Sequence, residues 1–252
     1  MLFRLEAGVQ RGSLSSIREN SPLGRLTEPI RVTIRRRQPL LDQLYQEYLT
    51  SQDSSAFLQQ AARHYNPGTL ERLTFQASRA TRRAAYLALG FIGDFTSNAA
   101  MGRGLVDPDR AVRLIAENGI RALWRRSGNQ AQRQRLNAII RLNTSQQYNK
   151  ALERATDLIA HIPDLAESWN QRAIAHYNLN QFSESVRDCH RALELNPYHF
   201  DAATGMGQCY LQLNDQRAAL ECFRRALRLN PCLEGVRAGV DYLERALKKR
   251  QR

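Results

Sequence analysis

The stretch "RALELNPYHF" (191–200) returns as "RALRLNPCLE" (225–234), 34 residues later. A fixed interval between near-identical phrases is the mark of a repeated structural unit, and it takes precedence over other readings. Aligned without gaps, Trp169 pairs with Ala203, Ala173 with Gly207 and His176 with Tyr210. Cys189 pairs with Phe223, Ala192 with Ala226 and Pro197 with Pro231. The pattern predicts a hairpin of two helices per unit, with helices over 200–212 and 216–229 in the second copy. The turns are "NLNQ" (178–181) and "LNDQ" (213–216). Small residues at 173, 192, 207 and 226 let helices approach closely. The prolines stop one helix and begin the next, because proline suits a first helical turn and not an interior. A further step back by one period reaches Tyr148, Ala151 and Pro163, a degenerate copy with Ile139 at the small position.

These residues resemble the tetratricopeptide pattern, W-x2-L-G-x2-Y…A-x3-F…A…P, over 166–199 and 200–231, with 132–165 as the worn copy. Arg172 and His176 depart from it, standing where an aliphatic and a tyrosine are usual. Residues 232–252 read as a capping helix, with Val236, Val240, Leu243 and Leu247 on one face, and a basic tail.

Upstream, Arg82-x-x-Ala85-x-x-Ala88-Leu89 recurs as Arg113-x-x-Ala116-x-x-Gly119-Ile120. The turn "DPDRAVR" (107–113) predicts a helix starting at Pro108, capped by Asp107 or Asp109. Arg113 is placed to reach back to an acid or to turn carbonyls. This framework resembles HEAT-type repeats of the short, phycobilisome-lyase-like kind, and residues 31–126 are assigned to it. "PLLDQLYQEYLTS" (39–51) has helical spacing, "SSAFLQQAARHY" (54–65) follows with a serine N-cap, and "NPGT" (66–69) breaks it. "IRVTIR" (30–35) is the one β-like run, and residues 1–30 are expected to be partly disordered. "SGNQAQ" (127–132) is the junction, and its close flanking helices predict that the two arrays stack as one solenoid. The fold class expected is therefore all-α, a helical-hairpin solenoid.

The chain has 252 residues, 42% hydrophobic, with a net charge of +13. Arginine supplies all the basic residues but Lys150, Lys248 and Lys249. No apolar run nears the ~18 residues that cross a bilayer, and no secretory leader is evident, so a cytoplasmic protein without membrane partners is expected. The cysteines at 189, 209, 222 and 232 form no C-x-x-C pair, which fits a reducing compartment. No phosphate loop, nucleophile elbow or zinc-binding signature is present. Cys189 beside His190 reads as one packed and one surface residue, since helix neighbours point about 100° apart. Neither catalytic residues nor a metal or cofactor are expected.

What remains is surface. The tetratricopeptide resemblance implies a concave groove for another protein or a peptide segment. It would be lined by Asn170, Ile174, Tyr177 and Asn178, then Asp201, Thr204, Gln208, Leu211 and Gln212, with Ala238, Tyr242 and Arg245 from the last helix. Members that hold a C-terminal carboxylate use a clamp of Lys, Arg and Asn. Asn170 fits part of it; Ile174 and Thr204 do not. The alternative is nucleic-acid binding through the phosphate backbone, by Arg82, Arg83, Arg110, Arg113, Arg121, Arg125 and Arg126. A non-enzymatic adaptor leads.

Overall fold

Side-chain caps set several helix starts in the N-terminal part of the chain. In a computed structural model, which describes residues 38–250, α1 (Leu40–Ser51) is followed by α2 (Ser54–His64). Asp53, rather than a serine, caps α2: its carboxylate accepts from the N–H groups of Ser55 and Ala56 at 2.9 and 3.0 Å. Asn66 caps α3 (Pro67–Gln76), accepting from Thr69 N–H. "NPGT" thus opens a helix as well as closing one, with proline at the first position, where no N–H is needed. α4 (Arg79–Ile92), α5 (Asn98–Gly104) and α6 (Arg110–Arg125) complete the N-terminal arm. The predicted strand run at 30–35 and the segment 1–30 lie outside the described residues.

α6 begins at Arg110 and not at Pro108, and Asp109 is its cap, accepting from Ala111 N–H at 2.8 Å. Asp107 instead accepts from Asp109 N–H and takes both prongs of Arg82, at 2.9 and 3.0 Å. Arg113 reaches back to the carbonyls of Asp107 and Pro108 at 2.8 and 3.2 Å. The recurring framework packs α4 against α6. Ala85, Ala88, Leu89, Ala116 and Ile120 are all fully buried. A Cβ on Gly90 would stand 3.1 Å from Gly119 Cα, so the two backbones touch there.

Three hairpins follow: α7 (Gln130–Thr144) with α8 (Tyr148–His161), α9 (Ala166–Asn178) with α10 (Phe182–Leu195), and α11 (Phe200–Gln212) with α12 (Gln216–Leu229). The last pair has the predicted bounds. Each turn has one residue in the left-handed region, Gln146, Asn180 or Asn214, with φ of 59°, 59° and 61°. The next residue's N–H then reaches five residues back, Gln147 to Leu142, Gln181 to His176 and Asp215 to Tyr210, at 2.8–2.9 Å. This is the αL closure that satisfies orphan carbonyls at a helix end. The worn first copy therefore keeps the turn geometry even though its sequence has drifted. Asparagine tolerates this backbone better than glutamine does.

The prolines of the repeated phrase stop a helix but do not begin one. α10 and α12 end at Leu195 and Leu229, and the next helices start at Phe200 and at Glu234, the first residue of α13 (Glu234–Arg250). A residue before proline is pushed to extended backbone, and Asn196 and Asn230 are so placed. Their side-chain oxygens accept from the N–H groups of Tyr198 and Cys232, at 3.1 and 3.0 Å. Val240 and Leu243 of α13 bury against Leu220 and Phe223, closing the stack.

The link at 127–132 carries Gly128 at φ 84° and a reciprocal cap between Asn129 and Gln132. The arm does more than abut the first hairpin. Phe200 sits in the arm's core, and Tyr198, Leu229 and Leu233 pack against it. Trp124 Nε1 donates to Asn98 Oδ1, and Asn98 Nδ2 donates to Asn196 Oδ1, both at 2.8 Å.

Two glycines of α11 test the packing argument against each other. A Cβ on Gly207 would lie 2.6 Å from the Phe223 ring, whereas one on Gly205 meets only Cys189 Sγ at 3.5 Å. Gly207→Ala is expected to destabilise by about 1–3 kcal/mol through overpacking. Gly205→Ala should stabilise by up to about 1 kcal/mol through helix propensity. Urea unfolding of the two variants measures both; equal shifts of the same sign would refute the packing account.

Candidate functional site

A cavity of about 330 Å³ lies between α9 and α11 of the second and third hairpins. α9 contributes Asn170, Ile174, Tyr177 and Asn178, and α11 contributes Asp201, Thr204 and Gln208, with Cys189 and Ser185 of α10 behind them. Five residues expected beside these, Leu211, Gln212, Ala238, Tyr242 and Arg245, do not line it, and Ala238 is exposed on α13. Leu211 and Gln212 are exposed at the end of α11, Tyr242 is 64% exposed on α13, and Arg245 donates to the carbonyl of its own helix residue Asp241.

Most polar groups of the cavity are already engaged by neighbours. Asn178 Nδ2 donates to Ile174 O at 2.8 Å, and Thr204 Oγ1 to Phe200 O at 2.9 Å. Ser185 Oγ donates to Ala173 O and accepts from the Cys209 thiol. Tyr177 packs edge-on against Phe182, with ring centroids 5.5 Å apart. Gln208 is exposed, and Ile174 gives the wall its apolar patch at 37% exposure.

Two acids sit at equivalent positions of successive copies, Glu167 and Asp201, 34 residues apart. Each has its own partner. Asp201 takes Arg121 Nε and Nη2 at 2.8 and 2.9 Å, while Arg121 Nη1 reaches Glu117 at 2.7 Å. Arg121 belongs to α6, so the arm neutralises the end of the groove. Burial alone would lower the Arg121 guanidinium; the hydrogen bonds and charges of Asp201 and Glu117 outweigh it and hold it above its ordinary range. Its guanidinium also lies over the Phe200 ring, 4.6 Å from the centroid.

Glu167 is buried and bonded to fully buried His199, Oε2 to Nε2 at 2.9 Å. His199 Nδ1 accepts from Ala202 N–H, capping α11. The proton of a neutral ring therefore lies on Nε2 and is donated to Glu167. Gln171 and Asn170 amides donate to the other oxygen at 2.7 and 3.3 Å. Burial by itself would raise the Glu167 carboxyl; the hydrogen bonds from His199, Gln171 and Asn170 overcome it and hold the group low. Trp124 stacks on the His199 ring at 4.2 Å. The sequence reading missed this pair, although the matched acids at 167 and 201 were a visible signal.

The two departures from the repeat pattern also converge on one acid. Arg172 grips Asp188 with two bonds of 2.7 Å, and His176 Nε2 stands 3.7 Å from the same carboxylate, which is 5% exposed. Cys189 is buried and His190 is on the surface against Glu194, so the adjacent pair does not meet as nucleophile and base. Among the described residues, no three His, Cys, Asp or Glu side chains converge as a metal site, and no helix is long and apolar enough to cross a membrane.

The arginines expected to hold phosphates are largely engaged internally. Arg82 and Arg83 fork onto Asp107 and Asp109, Arg113 and Arg126 hold backbone carbonyls, and Arg121 is paired as above. Only Arg110 and Arg125 of the seven are exposed. Guanidinium groups fixed on carboxylates and carbonyls do not form a cationic track, so the nucleic-acid alternative loses its motivation.

The tetratricopeptide repeat family model matches residues 166–199 and 200–231. The C-terminal half carries tetratricopeptide repeats. A TPR repeat-containing protein of Rhizobium etli is 28% identical over 141 residues, 56% of this chain and 68% of that protein. The Protein SGT1 homolog of Bos taurus is 36% identical over 96 residues, 38% of this chain and 28% of that protein. The chain thus spans about two thirds of the first relative and less than a third of the second. The first TPR of Spaghetti (RPAP3), solved bound to the HSP90 peptide SRMEEVD, is 21% identical with a TM-score of 0.46, covering 48% of this chain and 96% of that one. The tetratricopeptide match ends short of residues 38–126.

The Glu167 carboxyl is lower in the fold than its ordinary 4.5, so its contribution is present above that pH. It is lost as pH falls through the folded value. Glu167→Gln is expected to cost about 1–3 kcal/mol at pH 7 and to flatten the fall in stability below pH ~4.5. Thermal melts from pH 3 to 7 compare the two; parallel curves would refute the assignment.

Proposed function

We propose that the protein is a non-enzymatic adaptor that holds an extended segment of another protein in the groove between α9 and α11. The carrying observation is the cavity lined by residues that differ from copy to copy, with Ile174 exposed beside the exposed amide of Gln208. An exposed amide suits the backbone of an extended peptide, and the aliphatic wall suits one apolar anchor. On this reading residues 132–231 form the binding array, α13 caps it, and the described part of the HEAT-like arm, residues 38–126, braces its end. The free thiols support a cytoplasmic setting.

The partner segment differs from SRMEEVD in its chemistry. Asn170 Nδ2 is directed to Glu167, Asp201 consumes Arg121, and Ile174 and Thr204 supply no cation. A free carboxylate in this groove would meet carboxylates and no uncommitted positive charge. The segment is therefore internal and uncharged across the groove.

Peptides selected from a displayed library against the full chain test this reading. Ile174→Glu is expected to weaken them at least tenfold, about 1.4 kcal/mol, while Leu114→Glu, exposed on the arm, leaves them unchanged. SRMEEVD and its C-terminal amide should bind equally weakly by fluorescence anisotropy. Selected peptides that ignore Ile174→Glu would remove the groove; tight binding of the free acid alone would remove the internal-segment reading.

A further inference from the structure

The arm contains a cavity that the adaptor reading does not use. α1, α4 and α6 enclose about 460 Å³, lined by Tyr45, Tyr48, Phe91, Ile115, Asn118 and Arg126 among others. That lies within the ~300–1,000 Å³ of ligand sites, which are mostly apolar with a few convergent polar groups. The walls are aromatic and mutually supported. The Tyr45 and Tyr48 rings stack at 6.5 Å, and Phe57 bridges Tyr48 to Phe91 at 5.5 and 6.3 Å. Where Gly90 meets Gly119, both lining residues, the wall is bare backbone, which adds depth.

One polar group is out of place in such a cavity. Arg126 Nη2 donates to Gly90 O and Gly93 O at 2.7 and 3.2 Å, which fixes the guanidinium in position. Among the described residues no carboxylate pairs with it. Burial first, and then the charge of Arg133, pull it below its ordinary range. Of the other half-buried arginines of the arm, Arg82, Arg83 and Arg121 each fork onto an acid, and Arg113, held by the carbonyls of Asp107 and Pro108, does not line this cavity. A partly desolvated cation held only by carbonyls beside aromatic walls is complementary to an anion with an apolar body.

We propose that this cavity binds a small amphipathic acid, with its carboxylate on Arg126 and its apolar body against Tyr45, Tyr48, Phe91 and Ile115. Asn118 stands in the same lining as a second hydrogen-bonding group. The charged head is required because a charge-assisted bond is roughly twice as strong as a neutral one. The body is required because a hydrophilic anion leaves the aromatic walls in water.

Displacement of anilinonaphthalene sulfonate fluorescence from the full chain tests the site, with decanoate, decanol and acetate as probes. Decanoate is expected to saturate one site at least tenfold more tightly than decanol, and acetate to displace nothing. Arg126→Gln should reduce decanoate to the level of decanol. Because Arg126 also holds two carbonyls, Ala122→Trp provides an independent arm. It fills the cavity from α6 with Arg126 intact, and should abolish displacement by decanoate and decanol alike. Equal affinities of decanoate and decanol for the unaltered chain would overturn the proposal. So would decanoate binding that survives Ala122→Trp.

Discussion

One carboxamide oxygen holds the molecule together. Asn196 Oδ1 accepts from Tyr198 N–H, which shapes the turn between two hairpins, and from Asn98 Nδ2, which belongs to the arm. Asn98 in turn receives the Trp124 indole N–H. Asn98, Trp124 and Asn196 are buried, where an unmade hydrogen bond is costly and these two side-chain bonds favour one arrangement. Packed around it are Phe200 in the arm's core, Tyr198 over Gly102 and Trp124 over His199. Arm and array therefore fold as one body, and the groove's acidic end is completed by an arginine from α6.

The second copy of the phrase shows what the first adds. Asn230 makes the same turn, to Cys232 N–H, and among the described residues has no counterpart of Asn98. A repeat unit needs the asparagine for its own geometry; the junction then uses the oxygen's second lone pair. The charged residues follow a similar division. Glu167 and Asp201 occupy one register position, yet one is answered by a histidine of the next inter-hairpin turn and the other by an arginine of the arm. Register fixes where a side chain stands, and its surroundings fix what it does there.

The same division explains how much was legible beforehand. The bounds of α11 and α12, the capping face of α13 and the crossing at Gly207 follow from a 34-residue period, which is local information. The placements of Asn170, Ile174, Asp201 and Gln208 around one cavity follow from the same register. Helix starts were read less well: Asp53 caps α2 in place of a serine, and α6 begins at Arg110 rather than Pro108, although its cap, Asp109, was one of the two expected. The contact between Asn98 and Asn196 spans 98 residues and leaves no periodic trace. The fates of Arg82, Arg83 and Arg121 were hidden for the same reason, since composition counts charges and does not show their partners.

Repeat arrays ordinarily lengthen by copying a unit anywhere along the stack, because each unit touches only its neighbours. Phe200 breaks that freedom. It is the first residue of α11 and is fully buried in the arm's core, while the arm is tied by a short link to α7. A copy inserted anywhere between Gln130 and Tyr198 would carry Phe200 away from its seat by a whole hairpin. The arm thus acts as a ruler, and the number of hairpins ahead of Phe200 is set at two.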